Sequence, residues 1–435
     1  MRTWGSGNGA TSCVELLIDC LGIKHYVSQT NDVDTRPIVF VGPYEHHSNL
    51  LPWREAGCEI VMIPENDETQ NVDLDLLEKL LQSPKYGGGG GTGGAGAGPT
   101  RRLRMGAFTA ASNVTGKVCN VNQISAVLHR NDALSFFDYA TGAPYLSMDM
   151  NPSPTIIDRG GGGDYTASDI AKDAMFISPH KMIGGVNTPG ILVVKKNLVN
   201  QRNAPSRSGG GTVFYVTHTH HRFLSNRIER YEGGTPNVVG IMRAGLSFLV
   251  SLLLVLERSL FLFVSHQFLQ KVKRKVSDQY LRAFDQYKDV TTLPLLRTIS
   301  DYENWTHKRV VQTLRVKAPN LIMLGCSSDE SNNHLPIFSF LIKCGQRFLH
   351  HNYVCAILND LFGIQSRGGC QCAGPYSQHL LGLTDIEDGE ERPSQVNEQI
   401  EYSLLHYKER AELLRPGFTR LSLPFKVRSV ETFLF

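Results

Sequence analysis

The sequence predicts an α/β protein: a large domain on a mostly parallel sheet covered by helices, followed by a smaller α+β domain. Three observations carry this expectation. In the first half, short apolar runs alternate with helical patterns, as in RPIVFVG, a polar turn, CEIVMIP and then the amphipathic VDLDLLEKLLQ; this is the order that strand and helix units impose. At 435 residues the chain is long enough for one large core and a second, smaller one. Past about Gly233 the pattern changes to long helical stretches and then two β-like runs, IFSFLIK and FTRLSLPF. The division that follows is a large domain over 1–232, with a glycine-rich insertion at 84–104, and a small C-terminal domain over 233–435.

Taken in order, the apolar runs at Met105 to Ala110, Ala133 to Phe137, Ala174 to Ile177 and Gly190 to Val194 extend the sheet begun by RPIVFVG and CEIVMIP. Three glycine-rich segments, Gly87 to Gly98, Gly160 to Gly163 and Gly209 to Gly211, read as surface loops or insertions. Glycine loses the most backbone entropy on ordering, and no strand-then-helix pattern brackets these runs as it would a phosphate cradle. The stretch AGLSFLVSLLLVL, from Ala244 to Leu256, is interrupted by Glu257 and Arg258. That is short of the roughly 20 residues a membrane span needs, so it reads as a buried helix.

Composition narrows the function. Lysine plus arginine (44) nearly balances aspartate plus glutamate (41), for a formal charge of +3; a polybasic nucleic-acid binder is excluded and a small-molecule partner expected. Nine cysteines is a low and odd count for this length, unlike a secreted disulfide framework. With no apolar signal stretch in MRTWGSG, the expected setting is the cytoplasm, with no membrane and no nucleic acid as partner.

The chemistry concentrates in DAMFISPHKMIGGVNTPGILVV. An apolar strand ends in Ser178, His180 and Lys181, and side chains at the carboxyl ends of such strands face the ligand crevice of an open α/β sheet. A lysine amine beside a hydroxyl and an imidazole able to bind phosphate suits covalent attachment of an anionic aldehyde cofactor. On these residues alone a surface loop lysine stands level with that reading. Asp138, ending the run in ALSFFDYATGAPY, shifts the balance, because a carboxylate in the same crevice can pair with a protonated pyridine nitrogen.

The ordered motifs GSGNGATSCVELLIDCLGI, EHHSNLLPWRE, ASNVTGKV, FDYATGAPY, SPHKMIGG, EGGTPN and SRGGCQCAGP resemble the class V aminotransferase-like enzymes of pyridoxal-phosphate fold type I, closest to the cysteine desulfurase and selenocysteine lyase branch. The resemblance implies pyridoxal 5'-phosphate held as a Schiff base on Lys181. It implies that Ala10, Thr11, Ser178 and His180 bind the cofactor phosphate, with Ala10 and Thr11 at a helix start. His46 stacks on the pyridine and moves protons, Asn113 sits beside the ring hydroxyl, and Asp138 pairs with the ring nitrogen. Thr235 reaches the phosphate of an opposite subunit, implying a homodimer with shared active sites. In SRGGCQC an arginine precedes the catalytic cysteine by five positions, which selects Arg367 and Cys372; Arg420 grips the substrate carboxylate. Cys370 is a rival for Cys372, or its redox or metal partner, although no metal site is expected.

The resemblance also carries departures. GSGNGAT lies almost at residue one, so an N-terminal arm and first helix of the family are expected to be missing, and Thr141 stands where many relatives carry glutamine. The expected activity is conversion of L-cysteine to L-alanine with sulfur bound to the enzyme and passed to a sulfur-acceptor protein. Transamination or another lyase reaction on a different amino acid, and a truncated non-catalytic relative, are the alternatives.

Overall fold

A computed structural model of the chain describes residues 2–7, 9–29, 35–66, 68–69, 71–87, 102–153, 165–199, 204–261, 293–325, 334–387, 390–406 and 415–423. The glycine run from Gly88 onward and the run Gly160 to Gly163 lie outside the described residues; Gly209 to Gly211 form the expected surface loop.

Every apolar run read as a strand of the first half is one. The main sheet has seven strands: β1 (Arg2–Ser6), β2 (Ile38–Val41), β3 (Glu59–Met62), β4 (Arg104–Thr109), β5 (Leu134–Asp138), β6 (Ala174–Ile177) and β7 (Gly190–Val194), in the order β1-β7-β6-β5-β4-β2-β3. β3, β2, β4, β5 and β6 run parallel, and β7 runs antiparallel to both its neighbours. β1 was not legible as a strand. RTWGS has no apolar run to mark it, and the segment is held by backbone pairing along β7, from Arg2 opposite Val194 to Ser6 opposite Gly190.

The sheet is covered on both faces, which is why β2, β4 and β6 are buried along their whole length. Alternate side chains go to opposite layers. Val39, Val41, Met105, Ala107 and Phe176 pack with Cys13, Val14, Leu17 and Ile18 of α1 (Gly9–Leu21). Ile38, Phe40, Phe108 and Phe137 pack with Leu77 and Leu81 of α2 (Leu74–Gln82) and with Ile124 and Leu128 of α3 (Val121–Arg130). α2 and α3 start on side-chain caps: Asp73 accepts from Leu76 N at 2.9 Å and Asn120 from Gln123 N at 3.3 Å.

A second, antiparallel sheet contains β8 (Leu321–Met323), β9 (Ile337–Cys344), β10 (Arg367–Gly369) and β11 (Phe418–Ser422), in the order β8-β9-β11-β10. β9 and β11 are the runs IFSFLIK and FTRLSLPF; β10, an Arg-Gly-Gly segment, is a strand only because β11 pairs with it. The loop after β4 joins this sheet to the first. Ser339 Oγ donates to Val114 O at 2.6 Å and Leu335 N to Gly116 O at 2.7 Å. Gly116, at φ 75°, permits the contact, since a Cβ there would meet Leu335 O at 2.2 Å.

The stretch expected to form a buried helix lies in α4 (Val238–Phe261), and its first half is a surface helix. Gly240, Ala244 and Ser247 are buried, whereas Val238, Val239, Ile241, Met242 and Leu246 are exposed. Within the stretch itself Ala244 and Ser247 are buried, Gly245 and Leu246 exposed, and Phe248 to Leu252 half-buried, so the outward apolar face belongs mainly to the turns that precede it. Among the described residues no helix is long and apolar enough to cross a membrane.

Candidate active site

The carboxyl ends of β2, β5 and β6, the start of α1 and the edge of the second sheet meet in one place. α1 begins against the turn that follows β6: Ala10 N donates to Ser178 Oγ at 3.0 Å. Glycine at 9 makes this approach possible, because its φ is 64° and a Cβ there would lie 2.7 Å from His180 Cε1 and 3.2 Å from Ser178 Oγ. A helix start with a hydroxyl and an imidazole against it is a site for an anion. Thr11 continues it, donating from Oγ1 to Ser48 Oγ at 2.7 Å.

Ser48 leads to His46, at the end of the segment leaving β2. His46 Nδ1 accepts from Ser48 N at 3.1 Å and lies 3.0 Å from Ser48 Oγ. Accepting at Nδ1 puts the His46 proton on Nε2. Burial first, then the charges of Lys181, His47, Arg367 and Arg420, lower its pKa to about 4, so the ring is neutral at physiological pH. The residue before it, Glu45, is buried, accepting from Asn49 Nδ2 at 2.7 Å and from Thr109 N at 2.8 Å. Burial raises its pKa to about 8.

Lys181 stands in a short turn, Pro179–Lys181, directly after β6. It is exposed to solvent, yet enough protein surrounds it that loss of hydration leads the causes lowering its pKa; Asp138 and Cys372 oppose, and Arg420 and Arg367 reinforce. Asp138, at the end of β5, is buried, with Oδ1 accepting from Ala140 N at 2.7 Å. Burial raises its pKa, while the Ala140 amide and Lys181 pull it down.

The second sheet supplies the remaining groups. Arg367 on β10 and Arg420 on β11 are direct cross-strand partners. Like charges in register repel, which sets up a position for an anion between them. Arg420 Nη1 donates to Asn113 O at 2.8 Å, and its buried Nε has no partner among the described residues. Arg367 Nη2 donates to Cys372 Sγ at 3.1 Å. The sequence spacing of five is therefore a spatial pair.

Lys181, His46, Asp138, Cys372, Arg367 and Arg420 thus converge, as do Ala10, Thr11, Ser178 and His180 at the helix start. Asn113 is buried near them, with Nδ2 donating to Gln371 O at 2.7 Å. Its amide joins the two sheets. Thr235 is exposed and outside the cluster; its segment lies against the loop at 209–212, with Gly234 N donating to Gly210 O at 2.9 Å. Cys370 is half-buried, its carbonyl accepting from Ser377 Oγ at 2.7 Å. Among the described residues no group of three or more histidine, cysteine or carboxylate side chains is placed to hold a metal ion. Sequence reasoning passed over Ser48, Glu45 and His47, although all three lie in the quoted EHHSN segment.

The whole chain superposes on the apo cysteine desulfurase of Thermococcus onnurineus with a TM-score of 0.59 at 19% identity, covering 77% of that chain. The fold is that of this cysteine desulfurase. The family model aminotransferase class-V matches residues 161–253, the stretch containing Lys181 and Thr235. A second structure, the cysteine desulfurase CsdA of Escherichia coli, aligns over 96% of this chain and 73% of its own with a TM-score of 0.55 and 20% identity. In sequence, a probable cysteine desulfurase of Pyrococcus abyssi is 25% identical over 53% of this chain and 47% of its own length. A cysteine desulfurase of an Enterobacter species is 26% identical over 54% and 48%. The chain spans about half the length of these curated relatives. Class V enzymes of fold type I work with pyridoxal phosphate.

Proposed function

We propose that the protein is a pyridoxal-phosphate-dependent cysteine desulfurase that converts L-cysteine to L-alanine and leaves the sulfur on Cys372. The observation that carries this reading is the convergence of Lys181, Asp138 and His46 with the Arg367–Cys372 pair.

The residues present fit the cofactor. A phosphate suits the amide-rich start of α1 with Ser178, His180 and Thr11, the backbone there being held open by Gly9. Asp138 is buried at the end of β5, and a cation near it, as Lys181 is, pulls its pKa down, so it suits a protonated pyridine nitrogen. His46 would stack on the cofactor's ring and Asn113 would hold the ring hydroxyl. When bound, the cofactor supplies an electron sink that lets a proton leave the α-carbon of an amino acid.

The chain's own groups do the rest. Lys181 Nζ, with its pKa lowered, holds the cofactor and takes the α-proton. Arg420 and Arg367 grip the substrate carboxylate, the contact that their cross-strand repulsion favours. Cys372 Sγ attacks the sulfur of L-cysteine: an S–S bond forms, the C–S bond breaks, and the β-carbon takes a proton from His46 or Lys181. L-cysteine and the Cys372 thiol become L-alanine and a Cys372 persulfide, with atoms and electrons balanced. A sulfur-acceptor protein then takes the terminal sulfur. The Arg367–Cys372 pair favours this reaction over transamination, which needs no thiol.

The functional unit we propose is a homodimer. Val238, Val239, Ile241, Met242 and Leu246 of α4 are exposed together with Ile183 and Val186. The two segments adjoin, Arg243 Nη1 donating to Val186 O at 2.9 Å. A second copy covering this apolar face brings Thr235 to the neighbouring site. We further propose a division into domains at about residue 233. The eight cysteines described are all unpaired, which supports a reducing compartment such as the cytoplasm.

The test is to load the purified protein with pyridoxal phosphate, add L-cysteine, and measure L-alanine together with protein-bound sulfur. One sulfur per alanine in the first turnover is expected. Alanine without bound sulfur, or no reaction while the visible cofactor band is present, refutes the reading.

A further inference from the structure

The loop carrying Cys372 needs support from outside itself. Gln371 and Cys372 both lie in the left-handed region, at φ 56° and 59°, a conformation unfavourable for a non-glycine residue. Within the loop Gln371 Nε2 donates to Arg367 O at 2.9 Å. From the first sheet, Asn113 Nδ2 holds Gln371 O.

His47 supplies the other constraints, one on each side of the thiol. Its backbone N donates to Cys372 O at 2.7 Å, and its Nε2 accepts from Gly374 N at 2.9 Å. The fit is close: a Cβ on Gly374 would lie 3.1 Å from His47 Nε2. Accepting at Nε2 requires a neutral ring protonated at Nδ1, the opposite tautomer to His46. Burial, then Arg54 and Arg415, lower the His47 pKa, which keeps this acceptor in place at neutral pH.

We propose that His47 is a positioning residue that fixes the Cys372 loop through its imidazole, keeping Sγ on Arg367 and beside Lys181. This deepens the desulfurase reading and rests on Cys372 as the sulfur-accepting residue. The clamp itself can be measured without turnover.

The test compares His47→Gln, whose terminal oxygen reaches the position of Nε2, with His47→Asn, which is too short to reach Gly374. In the holoenzyme, amide exchange over residues 371–374 is followed by mass spectrometry, and sulfide release from L-cysteine is resolved into kcat and KM. For His47→Asn we expect exchange to quicken and kcat to fall, each by about five- to tenfold, with KM changed less than about twofold. His47→Gln should return both to within about threefold of wild type. Unchanged exchange in His47→Asn, or a His47→Gln variant no better than His47→Asn, overturns the proposal. Nitrogen-15 spectra of histidine-labelled wild type give a check that needs no variant: protonation of His47 at Nδ1 is expected, and protonation at Nε2 overturns the clamp. If wild type releases no sulfide, the desulfurase reading fails, and exchange and tautomer alone decide the clamp.

Discussion

Replacing Arg420 by lysine tests the anion site while keeping the charge. The guanidinium sits half-buried on β11 opposite Arg367, with Nη1 on Asn113 O and a buried Nε that has no partner among the described residues. Lysine retains the cation and the repulsion but not the planar fork that meets both oxygens of a carboxylate. A hydrogen-bonded contact to a charged group contributes about 1.5–3 kcal/mol. At about 1.4 kcal/mol per factor of ten, kcat/KM for L-cysteine should fall about 10- to 150-fold. Stability should change little, because the lost bond to Asn113 O is a single one and the change in Tm should stay within a few degrees. Cysteamine, which lacks the carboxylate, separates recognition from disruption: its slower reaction should be the same in both proteins. A kcat/KM for L-cysteine within about twofold of wild type refutes the carboxylate site. An equal fractional loss with cysteamine shows that Arg420 acts only through the fold.

Three further outcomes follow from the same geometry. Lys181→Ala should abolish cofactor fixation by borohydride, and labelling as strong as wild type would remove Lys181 from its role. Cys372→Ser should stop sulfur transfer by more than about a hundredfold without loss of the visible cofactor band, whereas Cys370→Ser, which lacks the Arg367 contact, should change it less than about threefold; similar effects of the two would refute the assignment. His129 and Asp173 form a pair at 2.9 Å in which burial pulls the His129 pKa down but Asp173 more than offsets it, leaving it raised, while the Asp173 pKa is lowered. A raised histidine stabilises fully below its unfolded pKa and loses that contribution as pH rises through the folded value; the aspartate contributes above its unfolded pKa and loses it as pH falls. Denaturant melts of His129→Gln should therefore show a larger stability loss at about pH 5.5 than at about pH 8.5, and the reverse order would contradict the pairing.

Six of the seven strands of the main sheet, the parallel α/β class and the chemical types of the site were legible in the chain alone. These follow from local signals: continuous apolar runs where both faces of a sheet are covered, and reactive residues placed at or just beyond strand ends, as with Asp138, the last residue of β5, and Lys181, four residues past Ile177. The spacing of Arg367 and Cys372 was equally local, and the 3.1 Å contact realises it. Tertiary structure decided what depends on partners far along the chain. RTWGS is a strand only against β7, and Arg-Gly-Gly only against β11. The outward apolar face of α4 depends on which side its small residues pack, a choice that hydropathy alone does not encode. The opposed arginines depend on register, and the bracket of His47 around Cys372 joins residues more than three hundred positions apart. Pairing over such separations is set by the packing of whole layers rather than by any local pattern, so these contacts became visible only when the two sheets were placed together.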